Sequence, residues 1–432
     1  MRFATLDDWL AWQERLHPSS IDLGLDRVRT VLAAMQLQDP PFDILTVGGT
    51  NGKGSVAHTA ASILMASGQR TGLYTSPHLS QYNERVCIDG VQAGDEEFCA
   101  AFAAVDEARG DVSLTYFEFG TLAALEIFRR RNVDVAVLEV GLGGRLDAVN
   151  AVDPDVAVVV SVGLDHTDWL GDSIESIAVE KAGIFRPSTP AIFGRGPAPA
   201  SLRSIAESRG APLAVGGEDY FAEPDGQGWT FRNAEHSLPA LPRARMRGAH
   251  QLDNAATAVA AVLELRPGLP ADVIRQGLAD VVVPGRLEVI ELGDDCELWL
   301  DVGHNAAAAE AVAAALAAES RPTRMVLAML ADKDAAAFVA PLAGEVTRWY
   351  LGSLEGYRGQ SAVELHGRLP AGLDIAGEFP DIESAVQAAL ADLEPGERLL
   401  VAGSFHTVGE FRASGLYSEL SRSAADRRTT PA

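Results

Sequence analysis

The sharpest chemical signal in the sequence is the run Gly48-Gly49-Thr50-Asn51-Gly52-Lys53-Gly54-Ser55. Glycines at this density let backbone N–H groups close around phosphate oxygens, and a helix starting just after them favours negative charge. A lysine there reaches the outer phosphates of a nucleotide, and a serine hydroxyl joins the Mg²⁺ that accompanies them. The spacing departs from the common phosphate loop, because Gly54 separates Lys53 from Ser55. Lysine is also scarce: of 35 basic residues only Lys53, Lys181 and Lys333 are lysines. A lysine kept in an arginine-using chain points to work that needs a compact charge or a reactive amine.

Other candidates lie at the ends of apolar runs. Glu139 stands next to last in the run Val133–Val140, which is followed by Gly-Leu-Gly-Gly-Arg145-Leu146-Asp147. A carboxylate in that position needs a cation, either a bound Mg²⁺ or Arg145. Asp165-His166-Thr167-Asp168 follows the run Asp155–Val162, and His166 as neutral imidazole is a possible metal ligand. Lys181, in Glu180-Lys181-Ala182-Gly183, ends a helical stretch, where the residues alone favour a cation on the helix C-terminus. Further on, Asp301-Val302-Gly303-His304-Asn305, Ala331-Asp332-Lys333-Asp334 and Gly403-Ser404-Phe405-His406-Thr407 each follow a predicted strand. Asn305 also fits a simple helix N-cap.

These residues need a scaffold that brings strand ends together. Short valine-rich runs alternating with helices predict a parallel sheet covered on both faces, whose carboxyl edge is where ligands bind. Strands are predicted at 43–47, 70–74, 133–140 and 155–162, with helices through the first 40 residues and at 55–66, 95–109, 118–131, 251–265 and 270–280. Residues 211–247 read as hairpins or an irregular excursion. After Val283-Pro284-Gly285-Arg286 the alternation restarts, with strands at 297–301, 324–330, 347–351 and 399–402 and helices at 305–319 and 382–392. The expectation is an α/β chain of two domains. Residues 1–284 form a phosphate-loop ATPase domain with a mostly parallel sheet, and 285–432 a smaller Rossmann-like α/β domain. The tail from 421 is expected to fray.

Composition narrows the function. With 35 basic against 60 acidic residues, the 432-residue chain lacks the basic surface that nucleic acid or an anionic membrane requires. The hydrophobic fraction of 47% excludes general disorder. Three cysteines in so long a chain are no disulfide framework and fit a reducing cytoplasm. No signal-peptide pattern opens the sequence, and the run Val156–Leu164 is far short of the ~20 residues that span a bilayer.

Taken together, GGTNGKGS (48–55), TSPHL (75–79), LTYFEFGTLAAL (114–125), LEVGLGGRLDAVN (138–150), DHTDWLG (165–171), EKAGIFR (180–186), HQLDNAATA (250–258), PGRLE (284–288), DVGHN (301–305), MLADKD (329–334) and GSFHTVGE (403–410) resemble the folylpolyglutamate synthase/dihydrofolate synthase family of the Mur ligase group. The resemblance runs the length of the chain. The early IDLGLDRV (21–28) resembles the segment with which bifunctional members contact dihydropteroate. It implies a cytoplasmic, monomeric ligase with two activities, adding L-glutamate to dihydropteroate and further glutamates to reduced folates through an acyl phosphate. ATP and Mg²⁺ are the implied cofactors.

Residue by residue, the resemblance implies that Thr50, Asn51, Gly52, Lys53, Gly54 and Ser55 hold the phosphates, with Asn254, Arg286 and Asp301 also on the nucleotide and His304 near it. Ser55, Ser76, Glu139 and His166 bind the metal. Lys181 carries a carbamate derived from CO₂, a carboxylate-like group that arginine cannot form. Asp22, Leu23, Thr115, Tyr116, Phe117, Glu118, Leu146 and Asp147 face the pterin substrate. Two other readings stand beside this one: a Mur-type cell-wall peptide ligase, and a non-catalytic ATP-binding switch.

Overall fold

Runs that are apolar at every position bury both sheet faces, and the first part of the chain is built on them. The structure is a computed structural model that describes residues 2–429 apart from 20, 227, 244–247 and 357. By its internal contacts the chain divides into two compact units. One takes in 1–77, 82–245 and 251–282, and the other 78–81, 246–250 and 283–432.

Strands are numbered along the chain. In the first unit they are β1 (Asp43–Gly48), β2 (Thr71–Tyr74), β3 (Val86–Ile88), β4 (Val91–Gln92), β5 (Val135–Glu139), β6 (Val156–Val159), β7 (Ala191–Arg195) and β8 (Leu213–Gly216). They form one sheet in the order β4-β3-β2-β5-β1-β6-β7-β8, parallel from β2 to β8, with β3 and β4 antiparallel at the edge. β1 lies between β5 and β6, with Val47 level with Glu139 and Gly48 level with Val159. The chain leaves β1 toward β2 on one side and returns to β6 on the other. The turn after β1 is therefore at the switch in strand order, where open α/β sheets bind ligands.

Alternate residues of the central strands serve two cores. Ala136 and Leu138 pack with the helices Leu6–Gln13, Asp26–Met35, Asp95–Arg109 and Tyr116–Arg130. Val135 and Val137 pack with Lys53–Ala66, Ala249–Leu265 and Ala271–Asp280. The excursion holds a small antiparallel sheet, ordered β11-β10-β9, of β9 (Phe221–Asp225), β10 (Gly228–Arg232) and β11 (Ser237–Pro242). Buried Trp229 and Phe231 anchor it in the second core.

The second unit holds β12 (Glu288–Gly293), β13 (Cys296–Asp301), β14 (Thr323–Leu327), β15 (Val346–Gly352), β16 (Ile375–Phe379) and β17 (Arg398–Ala402). Their order is β12-β13-β17-β14-β15-β16, parallel except for β12 against β13. Asn305 caps the helix Ala306–Ala318 by accepting from the Ala308 N–H at 2.9 Å. The tail differs from expectation: a helix runs from Gly415 to Thr429, and residues 430–432 lie outside the described part. Leu416, Tyr417 and Leu420 pack on the core and Arg427 donates to the Glu291 carbonyl at 2.6 Å. That tether is tertiary and leaves no trace in local periodicity.

Candidate active site

The phosphate loop is held from below by the segment after β6. The Thr50 N–H donates to the Ser161 carbonyl at 2.9 Å, and Thr50 Oγ1 accepts from the Gly163 N–H at 3.0 Å. The Asn51 N–H donates to Ser161 Oγ at 3.0 Å. Gly52 turns the chain into the helix with φ +86°, a region costly for any side chain. The helix begins at Lys53, two residues before the predicted start at Ser55, so Lys53 and Gly54 belong to its first turn. Lys53 Nζ donates to the carbonyls of Gly49 and Thr50, at 3.1 and 3.3 Å, which folds the ammonium over the loop. Asn254, from the helix Ala249–Leu265, donates to Gln251 Oε1 at 3.0 Å and lies against Gly52.

Glu139 ends β5 at 5% exposure. Its Oε2 accepts from the Ser76 N–H at 3.1 Å, and its carboxylate borders Gly54. Arg145, the alternative partner, pairs with Glu180 at 2.8 Å. Ser55 Oγ is buried and has no hydrogen-bond partner among the described residues. A buried hydroxyl without a partner, on the residue next to the glycine that the Glu139 carboxylate borders, fits a hard cation with oxygen ligands. Ser55, Ser76 and Glu139 would hold Mg²⁺ there, where it supplies charge neutralisation for phosphoryl transfer. His166 is exposed, with a left-handed backbone (φ +51°) stabilised by its own N–H on Asp165 Oδ1 at 2.9 Å. Among the described residues, no three His, Cys, Asp or Glu side chains gather into a metal-binding group.

Lys181 is not a solvated helix cap. It is buried, and burial together with the nearby Lys53 charge lowers its pKa to about 7, against the pull of Asp165 and Asp147. Asp147 is buried too. Burial raises its pKa to about 6, opposed by the N–H groups of Leu142 and Val149 at 2.8 and 3.0 Å and by Lys53. The glycines of GLGG explain the closeness: a Cβ on Gly144 would lie 2.8 Å from the Glu180 carbonyl and 3.0 Å from that of Lys181.

On the same unit, Glu118 and Thr115 form a capping box that starts the helix Tyr116–Arg130. Phe117 covers Gly141, where a Cβ would come within 2.6 Å of its ring, and sits 6.0 Å from the Tyr74 ring. Leu23, Tyr116 and Leu146 are half-buried. Asp22 is tied to Glu118 by Arg27, a residue the motif reading passed over. Arg85, also missed, is buried with its guanidinium 5.3 Å from the Tyr82 ring and 5.7 Å from that of Tyr116.

The second unit carries Arg286, Asp301 and His304. Asp301 is buried at the end of β13, accepting from the N–H groups of Gly303 at 2.7 Å and Leu287 at 3.0 Å. Burial raises its pKa, and the Arg286 charge opposes that. His304 Nδ1 lies 3.1 Å from the Val302 carbonyl. Phe405 meets both neighbours, with its ring 6.1 Å from that of His304 and 5.6 Å from the Arg286 guanidinium.

Comparisons with known proteins bear on the family. The family model for the Mur ligase middle domain matches residues 47–262, and that for the Mur ligase glutamate ligase domain matches 285–405. The Dihydrofolate synthase/folylpolyglutamate synthase of Escherichia coli (strain K12) is 43% identical over 93% of this chain and 94% of its own. That of Haemophilus influenzae is 40% identical over 94% of this chain and 97% of its own. A structure of E. coli FolC in complex with DHPP and ADP superposes with a TM-score of 0.88 at 40% identity, covering 99% of both chains. A bifunctional folylpolyglutamate synthase/dihydrofolate synthase with Mn, AMPPNP and L-glutamate bound gives a TM-score of 0.88 at 42% identity, over 95% of this chain and 98% of that one. With a phosphate loop, a strand-end carboxylate and a buried lysine set on this sheet, the chain belongs to the dihydrofolate synthase/folylpolyglutamate synthase family of Mur ligases.

Proposed function

We propose that this chain is an ATP-dependent ligase that joins L-glutamate to dihydropteroate, making dihydrofolate, and adds further glutamates to tetrahydrofolate. The observation that carries the reading is the Lys53 ammonium folded over a glycine loop beside buried Glu139, in a chain 43% identical to an enzyme of that name. The relatives' structures with DHPP, ADP and L-glutamate supply the acid, nucleotide and amine classes, and they disfavour a cell-wall peptide acceptor.

The chemistry follows from the substrates. A carboxylate resists attack by an amine because its leaving group would be oxide. Transfer of the γ-phosphoryl to that carboxylate makes an acyl phosphate. The glutamate amine then attacks the acyl carbon, the tetrahedral intermediate collapses, and phosphate departs. Lys53 and the N–H groups of the first helical turn stabilise charge on the transferring phosphoryl group. In the first unit Thr50–Ser55 and Asn254 are the nucleotide-holding residues, and in the second unit Arg286, Asp301 and His304 are the nucleotide candidates. Ser55, Ser76, Glu139 and His166 would hold Mg²⁺, which would neutralise charge on the transferring phosphoryl group. Asp22, Leu23, Thr115–Glu118, Leu146 and Asp147 take the pterin side. Lys181, with its lowered pKa, offers the neutral amine that CO₂ requires and becomes the carbamate. Residues 1–284 form the ATP-binding part and 285–432 the glutamate ligase part, and the chain acts as a monomer. Among the described residues no helix is long and apolar enough to cross a membrane.

The test is incubation with ATP, Mg²⁺, L-glutamate and dihydropteroate, with mass spectrometry of the pterin products. Dihydrofolate and ADP in equal amounts are expected. ADP without any glutamylated pterin marks the chain as a nucleotide switch instead.

A further inference from the structure

Two of the three stretches assigned to the pterin side, Asp22–Leu23 and Thr115–Glu118, each carry a carboxylate and lie far apart in sequence, and one side chain joins them. Arg27, in the first turn of the helix Asp26–Met35, donates through Nη1 to Asp22 Oδ2 at 2.8 Å and through Nη2 to the Asp22 carbonyl at 2.6 Å. The same guanidinium reaches Glu118 Oε1 at 2.9 Å from Nη2, and both Glu118 oxygens from Nε at 3.2 and 3.3 Å. Glu118 is buried, and its Oε2 also accepts from the Thr115 N–H at 2.7 Å. His17 Nε2 stands 3.5 Å from Asp22 Oδ2 and closes the series.

We propose that Arg27 is a positioning residue for the acid substrate, fixing the Asp22–Leu23 segment against the Thr115–Glu118 turn. A planar fork with donors on several nitrogens can hold two carboxylates and a carbonyl at once, which an ammonium cannot. Without the guanidinium the buried Glu118 charge is left uncompensated. The carboxylate must then swing out toward water, and it releases the Thr115 N–H when it does. The hydrogen bond to the Asp22 carbonyl fixes the backbone immediately before Leu23. The phosphate loop is built from other residues, so nucleotide binding does not depend on this clamp.

The inference rests on the proposed ligase activity, and the experiment separates the two. Wild type, Arg27→Met and Arg27→Lys are compared for the KM of dihydropteroate, the KM of ATP and kcat, with ADP affinity by calorimetry and thermal unfolding on the same samples. For Arg27→Met the dihydropteroate KM rises by at least about tenfold, the worth of one charge-assisted hydrogen bond, while the ATP KM and ADP affinity stay within about twofold. Arg27→Lys falls between, since it restores charge without the fork. If Arg27→Met does not fold, the same pair of KM values in Arg27→Lys decides. An unchanged dihydropteroate KM, or equal rises in both KM values, overturns the role of Arg27. Failure of the wild type to make dihydrofolate overturns the activity itself.

Discussion

Gly52 and Asn254 meet so closely that no side chain fits between them: an atom at the Cβ position of Gly52 would lie 2.8 Å from Asn254 Oδ1 and 2.9 Å from Val160 Cγ1. The contact joins two motifs about two hundred residues apart in the chain, the phosphate loop and HQLDNAATA. It sets the Asn254 carboxamide against the turn proposed to receive phosphate.

Gly52→Ala is therefore expected to fail twice. The methyl collides with Asn254 and Val160, and the φ of +86° costs an alanine about 1–2 kcal/mol. ADP affinity should fall at least about tenfold by calorimetry. An alanine variant with unaltered ADP affinity refutes the placement of phosphate in this turn.

Ser55→Ala separates stability from activity. The hydroxyl is buried without a partner among the described residues, so deleting it should raise the unfolding free energy by about 1 kcal/mol. The divalent ion loses a ligand, and the Mg²⁺ concentration for half-maximal turnover should rise by at least about tenfold. A variant that is less stable and unchanged in Mg²⁺ dependence shows that the hydroxyl serves the fold and not the metal.

Lys181 gives a prediction with a definite sign in pH. Its pKa falls from 10.5 to about 7, so half of the folded-state amine is neutral near pH 7. Only neutral amine attacks CO₂, so carbamate formation grows as pH rises through about 7. The unfolded lysine holds its proton up to its ordinary pKa, so this group's burial penalty is full below about 7 and relaxes as pH rises toward 10.5. A carbamate resonance after addition of ¹³C-bicarbonate, absent in Lys181→Met, is the expected reading. Full activity of Lys181→Met, or of wild type in CO₂-free buffer, removes the carbamate from the mechanism.

These sites were legible in the sequence where a strand end, a glycine cluster or a scarce lysine marked them. Glu139, Asp301 and the Gly48–Ser55 turn stand at strand ends as the pattern required. The rule places a residue at an edge and says nothing of its direction; His166 at such an edge is exposed. β3, β4, β7, β8, β12 and β16 lie outside the predicted strands; β3 and β4, of three and two residues, carry too little alternation to register. The Arg27–Glu118 pair spans 91 residues, and no local spacing announces it. The tail helix escaped because its residues are mostly polar and its anchors lie on β12.

Gln13 tests how far a polar residue in this core is tolerated without a partner. It ends the helix Leu6–Gln13 at 1% exposure, and neither amide atom has a hydrogen-bond partner among the described residues. Trp9 Nε1, one turn earlier on the same helix, is likewise buried and unpartnered. Two unmet amide atoms cost more than their van der Waals contacts return, so a leucine of similar length should do better. Gln13→Leu is expected to stabilise the protein by about 1–2 kcal/mol, and Gln13→Glu to destabilise it because it places an unpaired charge in the same site. Denaturant unfolding of the three proteins decides the matter, and a loss of stability in Gln13→Leu means that a buried water satisfies the amide.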